Sequence, residues 1–353
     1  PYMSETGQPY DVGDFERVLA RVTSAADRDG FAQRRAVSAA AGKLRGIGLC
    51  YYIESILGDP SETSRVDFNT DGTVSIFVGT QSNGQGHETV FAQFLADQTG
   101  IPADRIAVVQ GDSDLIPTGG GTGGSRSVTV QNTATLAAVG VMIDRFSAFL
   151  GEVEGVPTTD VSFDDERFRI AGSNLTPTML DVADMARGAG RDDLLSVSKQ
   201  IKLDHRSYPN GAHVSEVEID PQTGVVTVKS FTVIDDFGKL INPMLVEGQV
   251  HGGVVQGIGQ ALFERVVYDE DGQLLTASFM DYAMPRADDV PMMYFYTEAT
   301  QSLYNPMGMK CCGEAGTVGA LAAIPHSVQA AVWDLGVRAV HMPFTPHLAC
   351  QTV

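Results

Sequence analysis

Two stretches of the chain repeat one pattern of hydrophobic and polar positions. In the first, Ser64 to Asp97, Val66 and Phe68 alternate with polar neighbours, Asp71-Gly72 turns the chain and a longer β-branched run returns. In the second, Ser215 to Glu264, Val217 and Ile219 alternate, Thr223-Gly224 turns the chain and a β-branched run returns again. Period-two alternation broken by a glycine turn predicts a hairpin, and each hairpin feeds a glycine-bearing loop and then a helical pattern. The first helix is expected from about His87 to Thr99, with Val90, Phe91, Phe94 and Leu95 on one face and Gly100 and Pro102 as stops. The second is expected to start with Asn242 as N-cap and Pro243 at its first position. It carries Gly248, Gly252, Gly253, Gly257 and Gly259, each costing about 1 kcal/mol relative to alanine. That bares its backbone either to another packed element or to a ligand.

Between and after the repeats the pattern predicts a buried strand at Ile106 to Gln110, a long helix at about Val128 to Leu150, a small hairpin at Val161 to Ala171 and a short helix at Pro177 to Arg187. The last third reads as strands at Leu274 to Asp281 and Met292 to Thr297, a glycine loop from Met307 to Gly319, and a helix at about Ser327 to Leu335. Strands and helices mix without a regular βαβ rhythm, which points to the α+β class. Two similar hairpin/glycine-loop/helix subdomains are expected: residues 1–212, with a small insert at about 151–212, and residues 213–353.

Composition narrows the function. With 24 basic against 44 acidic side chains, the formal charge is −20. No basic stripe is left for a nucleic-acid backbone or an anionic membrane. No stretch approaches the roughly 20 uninterrupted apolar residues of a membrane helix and no signal sequence opens the chain, so a soluble, cytoplasmic protein is expected. It opens on Pro1 rather than methionine, which suits a portion of a longer or processed polypeptide. The four cysteines, Cys50, Cys311, Cys312 and Cys350, form no C-x-x-C pair; they spell neither a zinc site nor an iron–sulfur cluster and are expected to be buried thiols. The seven histidines show no metal spacing and no G-x-S-x-G elbow occurs. His87 and His251 read as loop or packing residues.

Three glycine loops remain. Gln81-Ser82-Asn83-Gly84-Gln85-Gly86-His87 lies at a strand-to-helix junction, where free N–H groups favour an anion and the Gln81 and Gln85 amides suit a pterin or base edge; a plain loop and N-cap is the alternative. Thr118 to Ser127, rich in Gly119, Gly120, Gly121, Gly123 and Gly124, offers a nest of N–H donors, with Arg126 as a fork for phosphate; the alternative is a flexible linker. Met307 to Thr317 holds a single carboxylate, Glu314, among small residues. It is either a general base raised by desolvation or a first-turn acid stabilised by the next helix.

Taken in order, Gln81 to Thr89, Gly123-Gly124-Ser125-Arg126-Ser127, Ile241 to Gln249 and Lys310-Cys311-Cys312-Gly313-Glu314 resemble the molybdenum-cofactor-binding part of the xanthine dehydrogenase, aldehyde oxidase and carbon monoxide dehydrogenase large-subunit family. Pro1-Tyr2 and Thr6 to Phe15 resemble a stretch well inside that subunit, and Met342 to Pro346 its tail. The resemblance implies a molybdenum hydroxylase that inserts water-derived oxygen into a substrate C–H, an aldehyde or N-heteroaromatic, with Glu314 as general base and hydride transfer to Mo=S. It implies cofactor contacts from Gln81, Gly84, Gln85, Gly86, His87, Gly123, Gly124, Ser125, Arg126, Ser127, Gln249, Lys310 and Gly313, and no protein ligand to the metal. The cofactor implied is molybdopterin cytosine dinucleotide. Iron–sulfur clusters and FAD would sit on partner chains, and the N-terminal half of the large subunit would complete the site; alone, the chain would be inactive. The alternatives are a catalytically incomplete docking module of such a complex and a carbon monoxide dehydrogenase-type enzyme. Cys311 departs from the family, standing where glycine is usual.

Overall fold

The computed structural model describes residues 2–353; Pro1 lies outside the described residues. In chain order the elements are strands β1 (Tyr2–Met3) and β2 (Pro9–Tyr10), helices α1 (Phe15–Ala25) and α2 (Phe31–Ala40), strands β3 (Leu44–Ile53), β4 (Ser61–Phe68) and β5 (Val74–Val78), helix α3 (His87–Thr99), strand β6 (Ile106–Val109) and helix α4 (Ser127–Glu154). There follow β7 (Val161–Asp164), β8 (Arg167–Ile170), α5 (Met179–Gly188), β9 (Ser196–Lys202), β10 (Asn210–Ile219), β11 (Val226–Asp236), α6 (Pro243–Ile258), β12 (Met293–Thr297), α7 (Ala315–Val332) and α8 (Pro346–Thr352). Helices and sheets are mixed, as the α+β reading expects.

The chain divides into two compact units. One comprises residues 2–55, Ser207–Ser302 and Gly308–Val353; the other comprises Ile56–Arg206 and Leu303–Met307. This differs from a division at residue 212. Residues 1–55 join the later unit because β3 pairs antiparallel with β10 along its whole length, from Leu44 opposite Ile219 to Ile53 opposite Asn210. Gly46 and Gly48 in β3 also let α7 lie directly on the strand: a Cβ on Gly46 would fall 1.9 Å from the Ser327 carbonyl oxygen.

Each unit has a four-stranded sheet of the same plan. In the Ile56–Arg206 unit the order is β6-β5-β4-β9, and in the other it is β12-β11-β10-β3. Both centre on an antiparallel hairpin, β4/β5 or β10/β11, and add a parallel strand beside its second arm, β6 or β12. The repeat is therefore longer than the hairpin and helix legible in sequence: hairpin, helix, parallel strand, helix recurs as β4-β5-α3-β6-α4 and β10-β11-α6-β12-α7. The turns use Gly72 and Gly224 at φ +80° and +72°. Val66, Val74, Ile76, Phe91 and Leu95 are fully buried in the first unit, and Val217, Phe231, Val233, Val254 and Ile324 in the second. By length and composition α4 could cross a membrane, but 56% of its most apolar window is buried within the structure, and it carries Gln131, Asn132 and Thr135 wholly inside.

Two elements differ from expectation. Leu274 to Asp281 forms no strand. Ser278 instead organises a local turn, its carbonyl accepting from Asp281 and Tyr282 N–H and its hydroxyl donating to Asp281, and such local bonds compete with a ladder. Its Phe279 and Met280 are 79% and 92% exposed. The last long helix starts at Ala315 rather than near Ser327, because Gly316 and Gly319 are helical. Gly316 meets the backbone of α6, where a Cβ would lie 2.3 Å from the Val250 carbonyl, and Gly319 meets the His213 ring.

Candidate functional site

In the Ile56–Arg206 unit the first two glycine loops are stitched together. Gln81 N–H donates to Thr122 Oγ1 at 3.1 Å, and Thr122 Oγ1 donates to the Gln81 carbonyl at 2.6 Å. Gly121 N–H reaches the Gly79 carbonyl, and Gly119 lies so close to Gly79 that a Cβ would sit 2.4 Å from its oxygen. Gly84, Gly121 and Gly123 have open space where a Cβ would be. Thus some glycines close the loops on each other and others leave bare backbone facing outwards. Gln81 is exposed; the Gln85 side chain turns back to accept from Asn83 N–H, tightening the bend before Gly86.

Arg126 does not present a fork to phosphate. The side chain is 1% exposed, and its donors go to the Asp59, Gly121 and Ser61 carbonyls at 2.6, 2.9 and 2.7 Å and to Glu62 Oε2 at 3.0 Å. Glu62 also accepts from Gly120 N–H. The guanidinium is therefore the internal brace of the glycine loop. His87 likewise points inwards, 2% exposed, its ring centroid 5.0 Å from that of Phe91; burial pushes its pKa down. This is the packing role read from sequence rather than an exposed cofactor contact.

In the other unit, Gln249 Nε2 donates to the Gly313 carbonyl at 2.7 Å, joining α6 to the Glu314 loop. The glycines of α6 divide by face: Gly253 and Gly257 pack on α7, where a Cβ would fall 2.9 Å from Thr317 N and 2.5 Å from Ala320 Cβ, while Gly248 and Gly252 face open space. The packing expected of this helix is found on one face, and the other face is bare backbone. Lys310, expected to contact cofactor, is wholly buried and donates to Asp236 Oδ2 at 2.7 Å. Glu314 stands at the N-cap of α7 and is exposed, so the burial expected around it is not provided by this chain. Cys311 adopts φ +76°, which explains why glycine would suit the position. Cys312 is half-buried, and its thiol is pushed well up, by burial first and then by Cys311 and Asp235. Cys50 and Cys311 are half-buried like Cys312, and Cys350 is exposed, so none of the four is the fully buried thiol expected. Sequence reasoning missed Glu62, Asp235, Asp236 and His213; the only signal was the pair of acids ending an apolar strand, Val233-Ile234-Asp235-Asp236.

One contrast bears on ligands. Helices α1, α5, α6 and α8 are capped by the side chains of Asp14, Thr178, Asn242 and Thr345. Those that leave the three glycine loops, α3, α4 and α7, have no side-chain cap, and neither has α2, which follows Gly30. Their first-turn N–H groups keep a partial positive charge and the capacity to donate. Beneath the loops, Thr80 Oγ1, His87 Nδ1, Thr129 Oγ1 and both polar atoms of Asn132 are buried without a partner. Polar protein of this kind, with bare glycine backbone, fits a large anionic cofactor. No group of three or more His, Cys, Asp or Glu side chains among the described residues could hold a metal.

Comparison with known proteins agrees. Residues 21–291 match the family described as the molybdopterin cofactor-binding domain. The chain is 32% identical to the carbon monoxide dehydrogenase large chain of Afipia carboxidovorans over 97% of its own length and 45% of the relative's. It is 32% identical to the nicotine 6-hydroxylase large subunit of Paenarthrobacter nicotinovorans over 98% of its length and 45% of the relative's. The crystal structure of a Cu,Mo-CO dehydrogenase superposes with a TM-score of 0.91 at 30% identity, over 99% of this chain and 47% of that one. The chain thus spans about half the length of these relatives, two of them named as a large chain or large subunit. By its sequence and its fold, the chain belongs to the molybdopterin cofactor-binding domain family.

Proposed function

We propose that the chain is the cofactor-holding and base-bearing part of a molybdenum hydroxylase large subunit. The observation that carries this reading is that each of the three glycine loops runs into a helix start with no side-chain cap. The N–H groups opening α3 and α4, with the open backbone at Gly84, Gly121 and Gly123, would hold the pterin and the phosphates of its cytosine dinucleotide tail, and the exposed Gln81 amide would meet the pterin edge. The exposed face of α6 at Gly248 and Gly252 would form a further wall. When bound, the cofactor supplies the two-electron oxidation of a substrate C–H. This chain supplies the base: the Glu314 carboxylate, on a loop fixed at Gly313 by Gln249, takes up the proton released as water-derived oxygen enters the substrate. The chain spans about half of its relatives' length; the rest of the site would come from the other part of the large subunit, and iron–sulfur and flavin groups on partner chains or domains would accept the electrons.

The test is to purify the complete complex and measure molybdenum and acid-released cytidine nucleotide per chain, alongside turnover of Glu314→Gln. Near-equal amounts of metal and nucleotide, with turnover reduced about 10²–10⁴-fold as for a lost general base, are expected. Neither metal nor nucleotide would leave a docking module, for which the exposed Phe279, Met280 and Met292 provide an apolar surface.

A further inference from the structure

The Glu314 loop is tied to the end of β11 by an ion pair that lies wholly inside the protein. Asp235 and Asp236 end the strand and, as successive strand residues, point to opposite faces. Asp235 accepts from the Tyr52 hydroxyl at 2.9 Å and pairs with His213 Nε2 at 3.2 Å. Asp236 faces Lys310, and both side chains are 0% exposed. Lys310 Nζ spends its three protons on Asp236 Oδ2 at 2.7 Å, Thr300 Oγ1 at 2.8 Å and the Val12 carbonyl at 3.3 Å. Asp236 in turn accepts from Thr300 N–H at 2.9 Å, Gly238 N–H at 3.0 Å and the Thr300 hydroxyl. The Lys310 main chain is held as well, its N–H donating to the Phe237 carbonyl at 2.9 Å and its carbonyl accepting from Ser207.

An apolar pair could fill the same space, and a buried ion pair is not by itself a source of stability. What it adds is direction, because each bond fixes an angle that packing would leave loose. Lys310 precedes Glu314 by four residues. Between them Gly313 is pinned by Gln249, and beyond them Gly316 is pressed on α6. The main chain that carries Glu314 is thus held on both sides.

We propose that Asp236 and Lys310 are positioning residues for Glu314, acting through the loop rather than on substrate or cofactor. The proposal rests on the reading of Glu314 as the base, and its test separates the two. Lys310→Met combined with Asp236→Asn removes both charges, keeps the volumes, and leaves an acceptor for Thr300 and Gly238. In the complete complex this double variant should melt as the parent does and keep hydrogen-exchange protection in α4 and β10, while amides 309–314 lose theirs. Turnover should fall by up to the roughly 10²-fold that a misplacement of about 1 Å costs, with KM little changed. Loop amides exchanging as in the parent would overturn the proposal, as would unchanged turnover despite a loosened loop, or protection lost throughout the unit. If the loop loosens and Glu314→Gln keeps full turnover, the anchoring of the loop stands and the assignment of the base falls.

Discussion

At the scale of single residues, the basic side chains inside two of the three glycine loops serve the protein itself. Arg126 and Lys310 both lie in motifs whose resemblance implies cofactor contact, and both are buried with an acid, Glu62 and Asp236. Residue type was legible in the sequence; direction was not, because a loop of glycines allows a long side chain to turn either way. Glu62 shares the inward parity of Val66 and Phe68 in β4, but nothing local announced that its partner would be an arginine 64 residues further on. The role of Arg126 has a measurable consequence. Its removal leaves Glu62 buried and uncompensated, a loss of about 3–5 kcal/mol. Arg126→Met should therefore lower the urea midpoint strongly with an unchanged m-value, and Arg126→Met with Glu62→Gln should recover part of the loss. A stability equal to that of the parent, with only nucleotide binding impaired, would restore Arg126 as a phosphate ligand.

At the scale of elements, the hairpins, the first helix and the N-cap of α6 were readable because each rests on local chemistry. Asn242 accepts from Leu245 N–H as an N-cap should, and α3 spans the expected His87–Thr99. The start of α7 was not readable, since Gly316 and Gly319 signal a loop until the α6 backbone and the His213 ring that press on them are known. The same tertiary cause divides the glycines of α6, and adjacent positions should respond with opposite sign. Gly253→Ala drives a methyl to 2.9–3.2 Å from the Gly316-Thr317 backbone, an overpacking that costs about 1–3 kcal/mol. Gly252→Ala meets nothing within 4 Å and should gain up to about 1 kcal/mol of helix propensity. Thermal melting of the two variants checks this directly. The stabilised Gly252→Ala should also bind cofactor less well if that face is the wall proposed above.

At the scale of the molecule, the duplication places the loops. Hairpin, helix, parallel strand and helix recur with the same sheet order, so the loop entering α4 and the loop entering α7 occupy equivalent positions in their units. Arg126 and Glu314 are the N-cap residues of those two helices. One plan has been used twice, with a brace in one copy and an exposed carboxylate in the other. The copies differ in how the chain supplies the fourth strand. The Ile56–Arg206 unit draws β9 from within its own span, whereas the other draws β3 from the first 55 residues. The first is therefore nearly contiguous and the second is not. A fragment of residues 56–206 should fold alone with a cooperative melt, since Val66, Ile76, Phe91, Phe146 and Val197 all lie inside it. Residues 207–353 alone should not, because without β3 the backbone of α7 loses the strand on which Gly46 and Gly48 let it rest, and β10 becomes an open edge. Adding residues 1–55 in trans should restore a cooperative transition by calorimetry. A cooperative melt of residues 207–353 by themselves would show instead that β3 is an accessory strand, and that the second copy of the plan is complete without it.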